Sequence, residues 1–372
     1  MTVSLTEVHL GKPINHLINV PWELYKEDPN WVPPLKIAVK DLFNPKHPFF
    51  ETSVIKCWVA ERNGKVVGRI AAIINRAHIE YSGEKCGFFG FFDCPNDPDV
   101  AKALIKKAEE YLRNHGMKKV QGPVNPSINY ECGTLIDGFE DPPQIMMTYN
   151  PPYHKELLES EGYKKAKDLL AYQIRTDITY PEIMVKAAKR VEKSLKVTYR
   201  KLDKKKWDED VLNMWKIYNS AWEKNWGFIP MTKKEFLHTT KDLKTVVNPN
   251  LVHFVDVENE PAGFFVALPD YNQVLKKIPS GRLLPFGIFK LMRSSKYINR
   301  ARVITLGIVE KYRNTGLASL LYYKMQADLL NAGMKEIEMS WILEDNFKMR
   351  RPLERLGAKA YKTYRIFEKE LF

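Results

Sequence analysis

The 372-residue chain lacks several features that would point away from an ordinary globular enzyme. No window approaches the roughly 18 uninterrupted apolar residues of a membrane-spanning helix. The first residues show no charged segment followed by an apolar run, so we expect no signal peptide. The four cysteines include no Cys-x-x-Cys pair. Reduced, buried thiols in a cytoplasmic protein are therefore expected.

The signatures of several enzyme classes are also missing. The sequence contains no Gly-x-Ser-x-Gly, no Gly-x-x-x-x-Gly-Lys-Ser/Thr and no His-Glu-x-x-His motif. None of the eight histidines has another histidine four residues away. These absences disfavour serine hydrolases, P-loop nucleotidases and zinc peptidases, and we predict no metal site.

Acidic residues are absent from one long stretch of a chain that carries a formal charge of +13. Between residues 276 and 302 there is no acid, and the apolar segment 283–289 lies among the cations. Such a stretch suits either a packed lid with a solvated face or contact with an anionic membrane or an amphiphilic substrate. Nucleic acid is disfavoured, because no reading helix or stacking strand accompanies the charge. The cations are Lys276, Lys277, Arg282, Lys290, Arg293, Lys296, Arg300 and Arg302.

The rest of the chain is organised around residues 301–330. Residues 302–309 are apolar and β-branched, which is typical of a buried strand. A glycine-containing turn follows at 313–318, and an apolar face with helical spacing comes after it. Gly316 would let a ligand approach the main chain, and the open amides and dipole of a helix N-terminus favour a diphosphate.

Arg313, Gly316 and Ala318 match motif A, Arg/Gln-x-x-Gly-x-Gly/Ala, of the GCN5-related N-acetyltransferases (GNATs). Residues 197–372 resemble that family, because a strand at 335–341 and a helix beginning at Asn346 follow in the same order. The resemblance implies an α/β (α+β mixed sheet) fold with splayed central strands. Acyl-CoA would lie between those strands as co-substrate. It further implies cofactor contacts by Gly307, Ile308, Val309, Arg313, Asn314, Thr315, Gly316, Leu317, Ala318 and Asn346.

The first half of the chain repeats this order of elements. It contains a hairpin around 62–65, a strand at 86–94, a helix at 99–115 and a further strand at 118–123. We interpret the chain as two tandem GNAT-like domains, 1–178 and 197–372, with a linker helix from Pro181 to Leu195 within 179–196. In the first copy the turn at 94–99 carries two acids and two prolines. That copy is expected not to bind CoA in the usual way.

The resemblance implies acyl transfer from acetyl-CoA or another acyl-CoA to a small-molecule or lipid-like amine. A base must take the proton of that amine. Leu353 stands where many relatives have tyrosine, and strand 302–309 has no acid. Glu344 is therefore the first candidate base, Glu310 the second, and Tyr322 a candidate acid.

Two alternatives stay open. The missing tyrosine and strand acid favour a non-catalytic acyl-CoA sensor. The stretch 276–302 favours a transferase that acts on a long-chain, sphingoid-type amine at the membrane surface. Bacterial ceramide synthases catalyse a reaction of this kind. We accordingly expect a cytoplasmic protein that can also lie at the membrane periphery.

Overall fold

A computed structural model describes residues 2–194 and 196–372, without the side chains of Ser194 and Asp242. The chain forms two compact units. Unit 1 contains the chain up to Leu169, Asn272–Ser294 and Lys362–Phe372, and unit 2 contains Leu170–Tyr271 and Ser295–Tyr361. None of the described helices is long and apolar enough to cross a membrane.

The strands of unit 1 lie side by side in a sheet in the order β1-β2-β3-β4-β5. Its neighbouring strands are antiparallel except for the parallel pair β4–β5. Residues 367–370 of the last strand of the chain pair antiparallel with β5. The elements are β1 (Ser4–Val8), α1 (Asn15–Ile18), α2 (Val20–Tyr25), α3 (Lys36–Leu42), β2 (Ser53–Arg62), β3 (Lys65–Asn75), α4 (Arg76–Ser82), β4 (Cys86–Asp93), α5 (Pro98–Asn114), β5 (Lys119–Gly122), β6 (Val124–Asn125), β7 (Glu131–Cys132), β8 (Thr134–Asp137) and α6 (Tyr153–Ser160).

Unit 2 repeats this arrangement with the order β10-β11-β12-β13-β14. Again only the last pair, β13–β14, is parallel. The remaining elements of the chain are β9 (Lys164–Arg175), α7 (Glu182–Ser194), β10 (Val197–Lys201), α8 (Trp207–Trp222), α9 (Lys233–Val246), β11 (Val252–Val257), β12 (Glu260–Pro269), α10 (Asn272–Leu275), α11 (Gly287–Met292), β13 (Arg300–Ile308), α12 (Leu317–Asn331), β14 (Glu336–Leu343), α13 (Phe347–Arg355) and β15 (Lys359–Glu370). Helices α10 and α11 belong to unit 1.

Local sequence patterns explain the main elements. Asn63 and Gly64 both have positive φ, 54° and 70°, as the tight turn between β2 and β3 requires. Helix α5 packs one apolar face, including Leu104 and Leu112, into the core of unit 1. In unit 2, helix α12 buries the side chains at the predicted helical spacing: Leu317, Leu320, Leu321, Met325 and Leu329.

The mixed sheet, the tandem duplication and the splayed central strands are confirmed. The predicted linker helix is observed as α7, and its predicted last residue, Leu195, lies outside the described residues. Helix α7 belongs to unit 2, where Glu192 pairs with Lys324 of α12 at 2.8 Å. The domain boundaries 1–178, 179–196 and 197–372 stay predictions about the repeat.

Candidate functional site

The two parallel strands of unit 2 separate partway along their length. Strands β13 and β14 pair from Arg300 and Glu336 as far as Val303 and Met339. Beyond that point β13 continues to Ile308 and β14 to Leu343. A bulge at Ile304, opposite β12, coincides with the separation, and bulges bend the strand that carries them. We call the gap between residues 304–308 and 340–343 the second wedge, because it lies in unit 2, and the corresponding gap of unit 1 the first wedge.

The edge of β13 presents main-chain groups to this wedge. Val309 donates its N–H to the Ala262 carbonyl at 2.9 Å and accepts from the Tyr312 amide at 2.9 Å. Because successive residues of a strand point to opposite neighbours, Ile308 directs its N–H to the wedge side, while its carbonyl accepts from Arg313. At Gly307 an added Cβ would lie 2.9 Å from both Phe264 and Trp222, which leaves no room for a side chain.

The turn after β13 leaves the start of α12 without a side-chain cap. Asn314 has a φ of 66°, and Gly316, with a φ of 100°, is the N-cap residue. The amides of Leu317, Ala318 and Ser319 begin the helix and have no acceptor one turn earlier. Asn314 and Thr315 are exposed. The turn therefore leaves a set of N–H donors, at the positive end of a helix dipole, without a side-chain acceptor.

The Arg313 side chain turns inward at this point. Its guanidinium donates to the Ala221 carbonyl at 2.8 Å, at the C-terminal end of α8, and to the Ile308 carbonyl at 3.3 Å. Behind the turn, an added Cβ at Gly316 would lie 2.8 Å from Val191 of α7. Arg313 and α7 thus fix the position of the turn, and the turn presents its main chain outward.

The other residues predicted for the site lie apart from one another. Glu310 is 61% exposed and pairs with Lys224 at 2.6 Å, which lowers the pKa of the Glu310 carboxyl. Glu344 follows the end of β14, and its carbonyl accepts a hydrogen bond from Arg350. Tyr322 lies on α12 and is buried against Phe265, and burial raises the pKa of its hydroxyl well above the usual value.

Asn346 caps α13, as predicted, by accepting a hydrogen bond from the Met349 amide at 3.3 Å. Leu353, which stands where many relatives have tyrosine, is buried on the same helix. The structure therefore gives Asn346 a clear role in starting α13. A contact between Asn346 and a cofactor stays a prediction.

A buried charged cluster lies where the wedge begins, and the sequence did not predict it. Arg302 and Glu338 face each other across the ladder, 3.5 Å apart and at most 4% exposed. Ser340 donates to Glu338 at 2.5 Å and accepts from Arg302 at 2.8 Å. The Tyr361 hydroxyl donates to the second Glu338 oxygen. Polar residues at alternate positions of strand 336–340 were the signal available in the sequence.

This cluster corrects the interpretation of the basic stretch. Arg302 is buried and paired with Glu338, and Arg300 pairs with Glu336 at 2.9 Å. Both arginines serve the β13–β14 ladder, so they do not belong to an exposed basic surface.

The corresponding gap in unit 1 is filled by the chain itself. Strands β4 and β5 pair only from Cys86 to Phe88, and β4 then continues to Asp93. The Val124 carbonyl lies 1.7 Å from the position of an added Cβ at Gly90, and Asn125 accepts the Phe91 N–H at 2.6 Å. This first wedge therefore has no room for a ligand at Gly90.

The helix start in unit 1 is also satisfied internally. The Asp97 carboxylate accepts from the amides of Asp99 and Val100 at 3.1 and 3.2 Å and pairs with the Arg62 guanidinium. Burial opposes its ionisation, but the hydrogen bonds from Arg62 and Val100 outweigh burial and lower the pKa of Asp97. A protein carboxylate occupies the place of an external anion, which supports the prediction that the first copy does not bind CoA in the usual way.

Comparisons with known proteins agree with this geometry. The profile of the acetyltransferase (GNAT) family matches residues 211–358. Protein YghO of Escherichia coli is 37% identical over 376 residues, covering 99% of this chain and 96% of that protein. Bacterial ceramide synthase of Caulobacter vibrioides is 36% identical over 379 residues, covering 99% and 98%. A solved tandem GNAT protein from the clavulanic acid biosynthesis pathway shares the fold, with a TM-score of 0.60 and 12% identity over 100% of this chain and 99% of that chain.

Proposed function

Because the chain belongs to the acetyltransferase (GNAT) family, we propose that it transfers an acyl group from acyl-CoA to an amine at the second wedge. The observation that carries this proposal is the start of α12 at Gly316, where no side chain caps the first amides of the helix. A diphosphate fits such a group of donors. No such opening remains at the start of α5, where Asp97 takes two of the amides.

The proposed contacts follow the order of the chain. The amides of Leu317, Ala318 and Ser319 would hold the pyrophosphate. The N–H of Ile308, which lies on the wedge side, would donate to the pantetheine arm. Arg313 would act by holding the turn against α8, where its guanidinium bonds the Ala221 carbonyl. Acyl-CoA supplies a thioester whose carbonyl a neutral amine can attack.

Glu338 is our candidate for the group that takes the proton of the amine. It lies beside the point where β13 and β14 separate, and Ser340 donates to it at 2.5 Å from the first position beyond the ladder. Ser340 can therefore pass a proton to the Glu338 carboxylate, as general-base catalysis through a hydroxyl or water requires. Glu344, past the end of β14, is the alternative base. Glu310 is held by Lys224 at the surface.

For the acceptor we propose a long-chain amine, with a small amine as the alternative. The relative named bacterial ceramide synthase is 36% identical over nearly the whole of both chains, which supports a lipid-like acceptor. The competing function is an acyl-CoA sensor without turnover. Its support is the absence of a tyrosine at Leu353, which is buried in the core.

Calorimetric titration followed by an assay of free CoA thiol tests this function. We expect binding of acetyl-CoA or a long-chain acyl-CoA, and CoA release when a sphingoid-type amine is added. Release only with a small amine would move the acceptor to the alternative class. Binding without release across the whole amine panel would establish the sensor, and no heat from either acyl-CoA would refute both functions.

A further inference from the structure

Four large apolar side chains project from one short segment of unit 1. Helices α10 and α11 lie in this segment, Asn272–Ser294, which we call the surface segment. Monomeric proteins rarely expose so much contiguous apolar area without a partner. The exposed side chains are Leu284 at 75%, Phe286 at 73%, Phe289 at 59% and Met292 at 76%.

The surface segment is anchored to unit 1, so this exposure does not come from a detached loop. Leu275 and Ile278 pack with Val32 in a separate apolar cluster, and Leu291 packs against it. The Trp22 indole donates to the Pro279 carbonyl at 3.0 Å, and the Lys36 amide donates to the Gly281 carbonyl at 2.9 Å. The inward residues thus hold the segment in place while Leu284, Phe286, Phe289 and Met292 face solvent.

Cations surround these apolar side chains. Five exposed basic residues lie in the same segment, and it contains no acidic residue. Apolar side chains that enter an interface, together with cations at headgroup level, are the combination that binds anionic bilayers. The cations are Lys276, Lys277, Arg282, Lys290 and Arg293.

We propose that the surface segment docks unit 1 on an anionic lipid bilayer, with Leu284, Phe286, Phe289 and Met292 inserted among the headgroups. A second copy of the chain is disfavoured, because a symmetric contact would oppose the same cations across the interface. Nucleic acid is disfavoured as well, because two of the four exposed apolar side chains, Leu284 and Met292, are aliphatic and cannot stack on bases. This docking rests on the proposed function, in which the acceptor is a long-chain amine. It would bring the enzyme to an amine that is held in a membrane.

Vesicle sedimentation of the full chain tests the docking without acyl-CoA or amine, so its outcome is independent of catalysis. We expect binding to phosphatidylcholine vesicles that contain about 30% phosphatidylglycerol, and weaker binding at high salt. The variant Arg282→Glu/Arg293→Glu should bind at least about 25-fold more weakly, since each cation near such a surface contributes about fivefold. The variant Phe286→Ser/Phe289→Ser should bind at least about tenfold more weakly.

A matched control separates the segment from overall charge. Lys12→Glu/Lys102→Glu changes the net charge by the same amount at two exposed positions of unit 1 outside the segment, and its vesicle binding should stay near wild type. The proposal is overturned if the wild type does not sediment with the anionic vesicles. It is also overturned if the two segment variants and the control variant bind these vesicles with the same affinity. A dimer in analytical ultracentrifugation that Phe286→Ser/Phe289→Ser dissolves, without vesicle binding, would assign the surface to a second copy instead.

Discussion

The helix that follows the central parallel strand begins with a carboxylate in unit 1 and with an uncapped glycine in unit 2. In unit 1, Asp97 accepts the Asp99 and Val100 amides. In unit 2, Gly316 has no side chain, and the corresponding amides have no side-chain cap. Both helix starts present donors that need an acceptor. One unit contains that acceptor, and in the other we propose that a ligand supplies it.

The gaps between the separating strands differ in the same way. In unit 1, Val124 lies against Gly90, and Asn125 bonds the Phe91 amide. In unit 2, Ile308 turns its N–H towards the gap, and the polar cluster of Arg302 and Glu338 lies where β13 and β14 separate. Unit 1 therefore satisfies from its own chain the groups that, under the proposed function, unit 2 offers to acyl-CoA.

The largest effect is expected from Glu338→Gln, which keeps the shape of the side chain and removes its ability to accept a proton. General bases typically contribute about 100-fold or more to the rate. We expect kcat to fall by at least about 100-fold. The affinity for acyl-CoA should change little, because Glu338 is not among the residues proposed to contact CoA. Steady-state kinetics and calorimetry on one preparation measure both quantities.

Glu310→Gln is the matched control for this substitution, because Glu310 is exposed and paired with Lys224. Its kcat should stay within about threefold of wild type, as for a surface ion pair of small net value. Because Glu338→Gln leaves Arg302 buried beside a neutral partner, its melting temperature must be measured as well. Unchanged kcat in a folded Glu338→Gln variant would return the role of base to Glu344.

A smaller effect is expected from Thr315→Asp, which gives the helix start of unit 2 an internal anion similar to that of unit 1. Thr315 is exposed and directly precedes Gly316, and the substitution removes one hydrogen bond, from the Thr315 hydroxyl to the Tyr312 carbonyl at 2.7 Å, so the melting temperature is measured as well. Two like charges about 8 Å apart near a protein surface repel by roughly 2 kcal/mol. That energy corresponds to an affinity for CoA about 30-fold lower.

Thr315→Asn tests whether the charge causes this loss. The amide has nearly the same size as the carboxylate, so CoA affinity in this variant should stay within about threefold of wild type. Equal losses in the two variants would show that the turn acts through its shape. Affinity unchanged by Thr315→Asp would show that the diphosphate does not bind at this turn.

Local patterns were enough to predict the main strands and helices of both units but not the contacts between distant residues. The strand at 302–309, the turn and the α12 face follow from spacing within thirty residues. The pairing of Arg302 with Glu338 depends on the register of β13 against β14, which no short window contains. For the same reason Arg302 was interpreted as part of a basic surface, although it is buried.

Asp97 shows a different limit of sequence interpretation. Aspartate followed by proline is a recognised helix start, and the structure confirms Asp97 at the N-cap and Pro98 in the first turn. The sequence predicted that the acids here would repel a phosphate. It did not predict that the Asp97 carboxylate would take the place of a phosphate, because that role depends on Arg62, which lies at the end of β2.

The smallest expected effect concerns stability alone. Asp97→Ala removes the cap of α5 and the partner of Arg62, and caps contribute about 1 to 2 kcal/mol to the free energy of unfolding. Since CoA is proposed to bind only unit 2, its affinity should not change. Asp97→Asn should lower the free energy of unfolding by less than Asp97→Ala, because asparagine also caps helices. It loses only the charge that pairs with Arg62.

The pH dependence separates charge from capping. The pKa of Asp97 is lower in the folded chain than its ordinary value of about 3.9. The stability from its charge is therefore fully present above that pH and is lost as the pH falls through the folded pKa. The difference in unfolding free energy between wild type and Asp97→Asn should be constant from pH 7 to about 5 and shrink below about 4. A difference that persists unchanged into acid would mean that Asp97 acts by geometry alone. A change in CoA affinity in either variant would mean that unit 1 takes part in binding and that the contrast between the two helix starts is not the one that decides function.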